Sequence, residues 1–186
     1  ERFSRKGRLA FMTFLINDAA ARRMVEFFSQ FKTGFGDGFT PAEHYGGAYY
    51  PRYYGEGAGC SAFAVSFLDL GGLMLDEFER WLVSINIPRD LIGGPYNPGN
   101  KVGLKDIRKS SHWADGSSES GNDYVPFQIY DPTLMFNWIT DFHERHNWQH
   151  WNSKLVKMNN ARGILVDVRQ EPSPESESIF LEREKG

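Results

Sequence analysis

The stretch Arg8 to Lys32, RLAFMTFLINDAAARRMVEFFSQFK, holds two periodicities in sequence and sets the reading of the whole chain. Arg8 to Ile16 is a dense apolar run with β-branched and aromatic members, as a strand buried on both faces requires. Asn17 and Asp18 follow, and both residue types cap helix starts by accepting a hydrogen bond from a first-turn N–H. From Ala19 to Lys32 the spacing changes: Ala20, Met24, Phe27, Phe28 and Phe31 recur at helical intervals while Arg22, Arg23, Glu26 and Gln30 take the other side. A strand leading into an amphipathic helix is predicted, ended by the glycines at 34, 36 and 38.

Working outward, Ser61 to Leu70 predicts a mostly buried helix stopped by Gly71 and Gly72. A third helix is predicted over Leu75–Ile85, with Phe78, Trp81 and Leu82 inward and Pro88 closing it. Between there and about Gly121 the chain is rich in Gly, Pro, Ser and Asp and is expected to form mainly turns and loops. Tyr124 to Tyr130 predicts a strand that Pro126 confines to an edge or a bulge. Asp131-Pro132-Thr133 carries helix-start chemistry, and Leu134, Met135, Trp138, Ile139 and Phe142 share one face of a helix expected to reach about His146 or beyond. Gly163 to Val168 is the last strand candidate. Elements in this order predict an α+β fold: one domain over residues 1–169, a small mixed or antiparallel sheet packed by three to four helices. Residues 170–186, rich in Pro, Ser and Glu, are expected to form a flexible acidic tail.

With 186 residues the chain is long enough to bury roughly 70% of its unfolded surface without cross-links. A formal charge of −3 provides no broad basic field, and the concentrated cations are Arg2, Arg5, Lys6 and Arg8. Nucleic acid is therefore not an expected partner. Neither a membrane-spanning apolar run nor a signal peptide is visible, so membrane insertion is not expected. The chain begins at Glu1 rather than Met, which suggests a trimmed or processed product, and an exported, periplasmic or extracellular location is expected.

Cys60, the single cysteine, stands behind the glycine-rich segment Gly55-Glu56-Gly57-Ala58-Gly59 and opens the second apolar helix. Backbone N–H groups at a helix start lack intrahelical acceptors and carry partial positive charge, which stabilises a thiolate there. His44 precedes it by sixteen positions and is the nearest candidate base in sequence; His112 is the rival. The backbone N–H groups of Cys60 and Ser61 could receive a developing oxyanion, and Gly59 would let a substrate carbonyl approach the main chain. Tyr49, Arg52 and Tyr53, in a segment dense in tyrosine, are candidate substrate contacts through ring stacking and carboxylate pairing. Asp115 or Asp131 could orient the base.

A histidine, about fifteen residues and then Gly-Cys resembles the signature of the YkuD-type L,D-transpeptidases; here the matching residues are His44, Gly59 and Cys60, with Gly57-Ala58 where that family carries Ser/Thr-His. The run Cys-Ser-Ala-Phe-Ala-Val from Cys60 is also similar to the helix start that carries the nucleophile in papain-like and NlpC/P60-type thiol hydrolases. Both resemblances imply acyl transfer through a cysteine acyl-enzyme on peptide or amide bonds, with peptidoglycan as substrate. No cofactor is expected. The residues leave open which histidine is the base, and whether water or an amine accepts the acyl group. Two other readings stay open beside it. One is a non-catalytic module gripping glycan or peptide with its tyrosine-rich groove. The other is a metal-assisted hydrolase on His143, His146 and His150, whose directions fall within about 60° on a continuous helix; no metal-site motif supports it.

Overall fold

The computed structural model describes residues 2–46, 49–93, 97, 99–109, 124–145 and 152–183. Its elements run α1 (Arg2–Arg5), β1 (Ala10–Leu15), α2 (Asp18–Thr33), α3 (Cys60–Leu70), β2 (Leu82–Pro88), α4 (Leu104–Lys109), β3 (Tyr124–Tyr130), α5 (Pro132–Arg145), β4 (Asn152–Met158) and β5 (Ala161–Asp167), with short 3-10 turns at Pro41–Glu43, Asp76–Trp81 and Arg89–Leu91. This is an α+β fold, with helices over 40% of the described residues, a mixed three-stranded sheet and a two-stranded sheet. The chain divides into two compact units, residues 1–28, 67–81 and 131–179 in one and 29–66, 82–130 and 180–186 in the other.

The first unit is built on the sheet β1-β5-β4, in which β5 lies parallel to β1 and antiparallel to β4. Ile164, Val166 and Val168 of the central strand and its extension pack with Leu73, Ile139 and Phe142 to form its apolar core. Phe11 lies opposite Gly163, and a side chain on that glycine would occupy the space of the Phe11 ring. Stacked and edge-on rings join Phe78, Trp81, Trp138 and Phe142, so α5 is anchored through aromatic contact.

Helix ends follow the local chemistry. Asn17 accepts from the Ala20 N–H at 2.8 Å and Asp131 accepts from Thr133 and Leu134, so both predicted caps operate. At the end of α3, Gly72 sits at φ +69° and Leu73 N–H returns to the Leu68 carbonyl at 2.8 Å, a Schellman closure that needs a left-handed residue.

One expectation is corrected and two elements are added. Residues 82–88 form β2 rather than the end of a third helix, because Val83, Ile85 and Ile87 alternate with exposed Ser84 and Asn86 and pair antiparallel with β3. The helix signal was confined to one 3-10 segment, Asp76–Trp81. Strand β4 was not anticipated: only Leu155, Val156 and Met158 are apolar in it, and its lysines are what an edge strand carries against unwanted pairing. It turns into β5 through Asn159, whose φ of 55° asparagine tolerates. Within the stretch expected to be mainly turns and loops, residues 104–109 form the short helix α4.

The segment beyond residue 169 is also tied down rather than free. Arg23, 8% exposed, donates to the carbonyls of Leu70, Glu175 and Glu177, and Asn17 donates to that of Glu171 at 2.9 Å. Phe180 is buried. At the sheet's far end the Arg169 guanidinium holds the half-buried Asp167 carboxyl down to about 2. Because Asn17 both caps α2 and holds Glu171, Asn17→Ala is expected to cost about 1–2 kcal/mol in urea denaturation. Asn17→Asp, which keeps the cap acceptor and removes the donor, is expected to recover at least half of that.

Candidate functional site

The second unit contains the glycine-rich segment and Cys60. Its local shape follows from a short pairing: Ala58 N–H donates to the His44 carbonyl at 3.1 Å, Gly46 N–H donates to the Ala58 carbonyl at 3.4 Å, and Tyr45 and Ala58 form a parallel bridge. Residues 44–58 therefore close on themselves as a loop. Gly57 is required where the two ends meet, since a Cβ there would fall 1.8 Å from the His44 carbonyl oxygen. The sixteen-position interval between His44 and Cys60 is spent on this closure.

Cys60 is the first residue of α3, and the Gly59 carbonyl accepts from Phe63 N–H at 2.9 Å as the helix's cap residue. The thiol is free and exposed. Ser61 is half-buried and Gly59 buried. The N–H groups of this first turn have no intrahelical acceptor, which leaves a small electropositive end beside the sulfur.

His44 is exposed, and its ring stacks on Phe39 with centroids 4.5 Å apart and planes 12° from parallel. Its backbone lies beside Gly57 and Ala58, but no hydrogen bond links its imidazole to the Cys60 sulfur. His112 and Asp115, like His146 and His150, lie outside the described residues. Asp131 caps α5 in the first unit. Among the described residues no group of three or more His, Cys, Asp and Glu could hold a metal ion.

The anticipated substrate contacts divide. Arg52 is 1% exposed and so presents no guanidinium to solvent; its place as a surface contact is corrected. Its carbonyl accepts from Leu181 N–H at 2.7 Å. Tyr53 is half-buried beneath the Arg183 guanidinium, 4.3 Å from ring centroid to Cζ. Tyr49 lies over Gly46 and donates to the Gly93 carbonyl at 3.4 Å. Burial, and next to it the Glu56 charge, push the Tyr49 phenol above its ordinary range. The tyrosines most open to solvent are instead Tyr45, 79% exposed, and Tyr54.

No motif marks Glu56, and residues 180–183 belong to the segment expected to form a flexible acidic tail. Glu56 is 2% exposed, yet its carboxylate meets Arg183 through two hydrogen bonds, 2.6 and 3.1 Å, and accepts from Tyr50 N–H at 3.0 Å. Leu181 bridges Tyr53 and receives Tyr54 N–H, while Phe180 packs against Phe35 and Tyr54. Residues 180–183 thus strap the loop from its interior. The one signal available was a lone acid among glycines, whose partner lies 127 positions away.

No protein-family model matches the chain, nor does any curated protein or solved structure. Among the described residues no helix is long and apolar enough to cross a membrane.

Removing Arg183 leaves a buried carboxylate short of its cation, so Arg183→Ala is expected to cost about 2 kcal/mol or more by denaturant melts, and adding Glu56→Gln is expected to return part of that loss. Gly57→Ala is expected to destabilise by about 1–3 kcal/mol through the displaced His44 strand. The comparison is Gly55→Ala at φ +77° with open space around it, where only the left-handed backbone penalty of roughly 1–2 kcal/mol applies.

Proposed function

We propose that the protein is a cysteine-dependent acyl-transfer enzyme acting on peptide or amide bonds, with Cys60 as nucleophile and His44 as its base. The observation that carries this reading is an exposed thiol on the first residue of α3 with the His44 strand clasped to Gly57–Ala58 just before it.

In the reaction, the imidazole leaves its stacking contact with Phe39, takes the thiol proton, and the sulfur attacks the substrate carbonyl carbon. The C–S bond forms as the carbonyl π pair moves to oxygen, where the first-turn N–H groups of Cys60 and Ser61 receive the charge. Collapse breaks the C–N bond. His44 returns its proton to the departing amine, leaving a thioester on Cys60. Water or a second amine then takes the acyl group with the reverse proton movements. Exposed Tyr45 and Tyr54 give the surrounding surface aromatic faces suited to glycan or peptide planes. Peptidoglycan stem peptides combine both chemistries and are the substrate class the resemblance implies.

A second reading rests on the same tyrosines: a binding surface for glycan or peptide with no covalent step. Incubation with defined muropeptides separates the two. The enzymatic reading expects released or exchanged peptide, an acyl adduct on Cys60 by intact-protein mass, complete loss in Cys60→Ala, and a loss of roughly 10²–10⁴-fold in His44→Ala. Muropeptide binding that is equal in wild type and Cys60→Ala, with neither product nor adduct, would reject catalysis in favour of the binding surface.

A further inference from the structure

One end of the three-stranded sheet is rich in cations. The helix α1 is held against the β4–β5 turn: Asn160 N–H donates to the Ser4 carbonyl at 3.1 Å, the Asn159 amide donates to the Ser4 hydroxyl at 3.1 Å, and the Asn160 amide donates to the Arg5 carbonyl at 2.6 Å. Ser4 is buried by these contacts, and they bring the start of β1, the end of β4 and the start of β5 to one place. Residues 2–9 and 157–162, which lie at this end, contain six of the chain's 21 Lys and Arg and none of its 24 Asp and Glu. Arg2, Arg5, Lys6, Arg8 and Lys157 are exposed, and Arg162 meets Glu144 at 3.0 Å.

Apolar side chains stand among these cations. Phe3 is 64%, Met158 53% and Leu9 39% exposed, all within two residues of the turn contacts or of an exposed cation. The combination of aromatic and aliphatic side chains with surrounding lysine and arginine is that of a surface that lies on an anionic bilayer, its apolar groups entering the boundary between headgroups and acyl chains. A phosphate backbone would engage the cations and leave Phe3 and Met158 in water. The rest of the sequence holds 15 Lys and Arg against 24 Asp and Glu, so attraction to an anionic surface belongs to this end.

We propose that the end of the sheet formed by α1 and the β4–β5 turn is a docking surface for anionic lipid bilayers, on which the protein rests without spanning the membrane. The proposal is independent of the thiol chemistry. Co-sedimentation with vesicles tests it, using phosphatidylcholine alone and phosphatidylcholine mixed with phosphatidylglycerol, at low and high salt. The full chain is expected to bind the mixed vesicles, to ignore the neutral ones, and to be released by salt. Each cation removed is expected to weaken partition about fivefold, so Arg5→Glu/Lys6→Glu/Arg8→Glu is expected to lose at least about a hundredfold. Phe3→Ser/Met158→Ser, which keeps every charge, is expected to lose roughly tenfold or more. Circular dichroism of both variants establishes that they fold. Equal binding to neutral and anionic vesicles, unchanged partition of either folded variant, or binding of a single-stranded oligonucleotide without any vesicle binding would each overturn the assignment.

Discussion

A carboxylate that is almost wholly removed from water has to be met by hydrogen-bond donors and an opposite charge, and Glu56 is. Two bonds from Arg183 and one from the Tyr50 N–H satisfy it within a loop otherwise made of glycine and tyrosine. The geometry around the candidate site follows from that demand. The C-terminal residues must come to the loop to deliver the guanidinium, and in doing so they place Leu181 between Arg52 and Tyr54 and bury Phe180. A loop with this many glycines would otherwise lose much conformational entropy on ordering. Buried charge, strand-like bridging and aromatic packing offset that cost from inside.

The second constraint is steric and lies at the loop's mouth. The His44 carbonyl and Gly57 come so close that only a glycine can occupy the position, and the backbone bonds to Ala58 hold the two ends together. Cys60 emerges directly after this junction, at a helix start where its sulfur faces solvent. Sequence distance is thereby converted into a closed loop that ends two residues before the thiol. The imidazole is held on the same short segment, stacked on Phe39, a contact it leaves in the proposed reaction.

Much of the fold was legible where periodicity and capping agree. The run Arg8–Lys32 announced β1 and α2 because a dense apolar stretch, an asparagine cap and a helical stripe follow one another with no conflict. Cys60 at the start of α3 and Asp131 ahead of α5 were readable for the same local reasons. Legibility failed where long-range pairing decides. Leu82–Pro88 borrowed apparent helix signal from Phe78 and Trp81, and only its partner β3 makes it a strand. β4 has too little apolar content to announce itself and exists because β5 offers an edge. At the site, the burial of Arg52 and the pairing of Glu56 with Arg183 depend on chain ends meeting, which no local pattern reports.

The central claim is that His44 serves the Cys60 sulfur, and the rate of iodoacetamide alkylation of Cys60 as a function of pH, in wild type and in His44→Ala, tests it most directly. The account predicts rapid labelling of the folded wild type below pH 7 and a marked fall in that rate when the imidazole is removed. Identical pH profiles for the two proteins, or a thiol in the folded wild type that reacts no faster than a free cysteine, would contradict it.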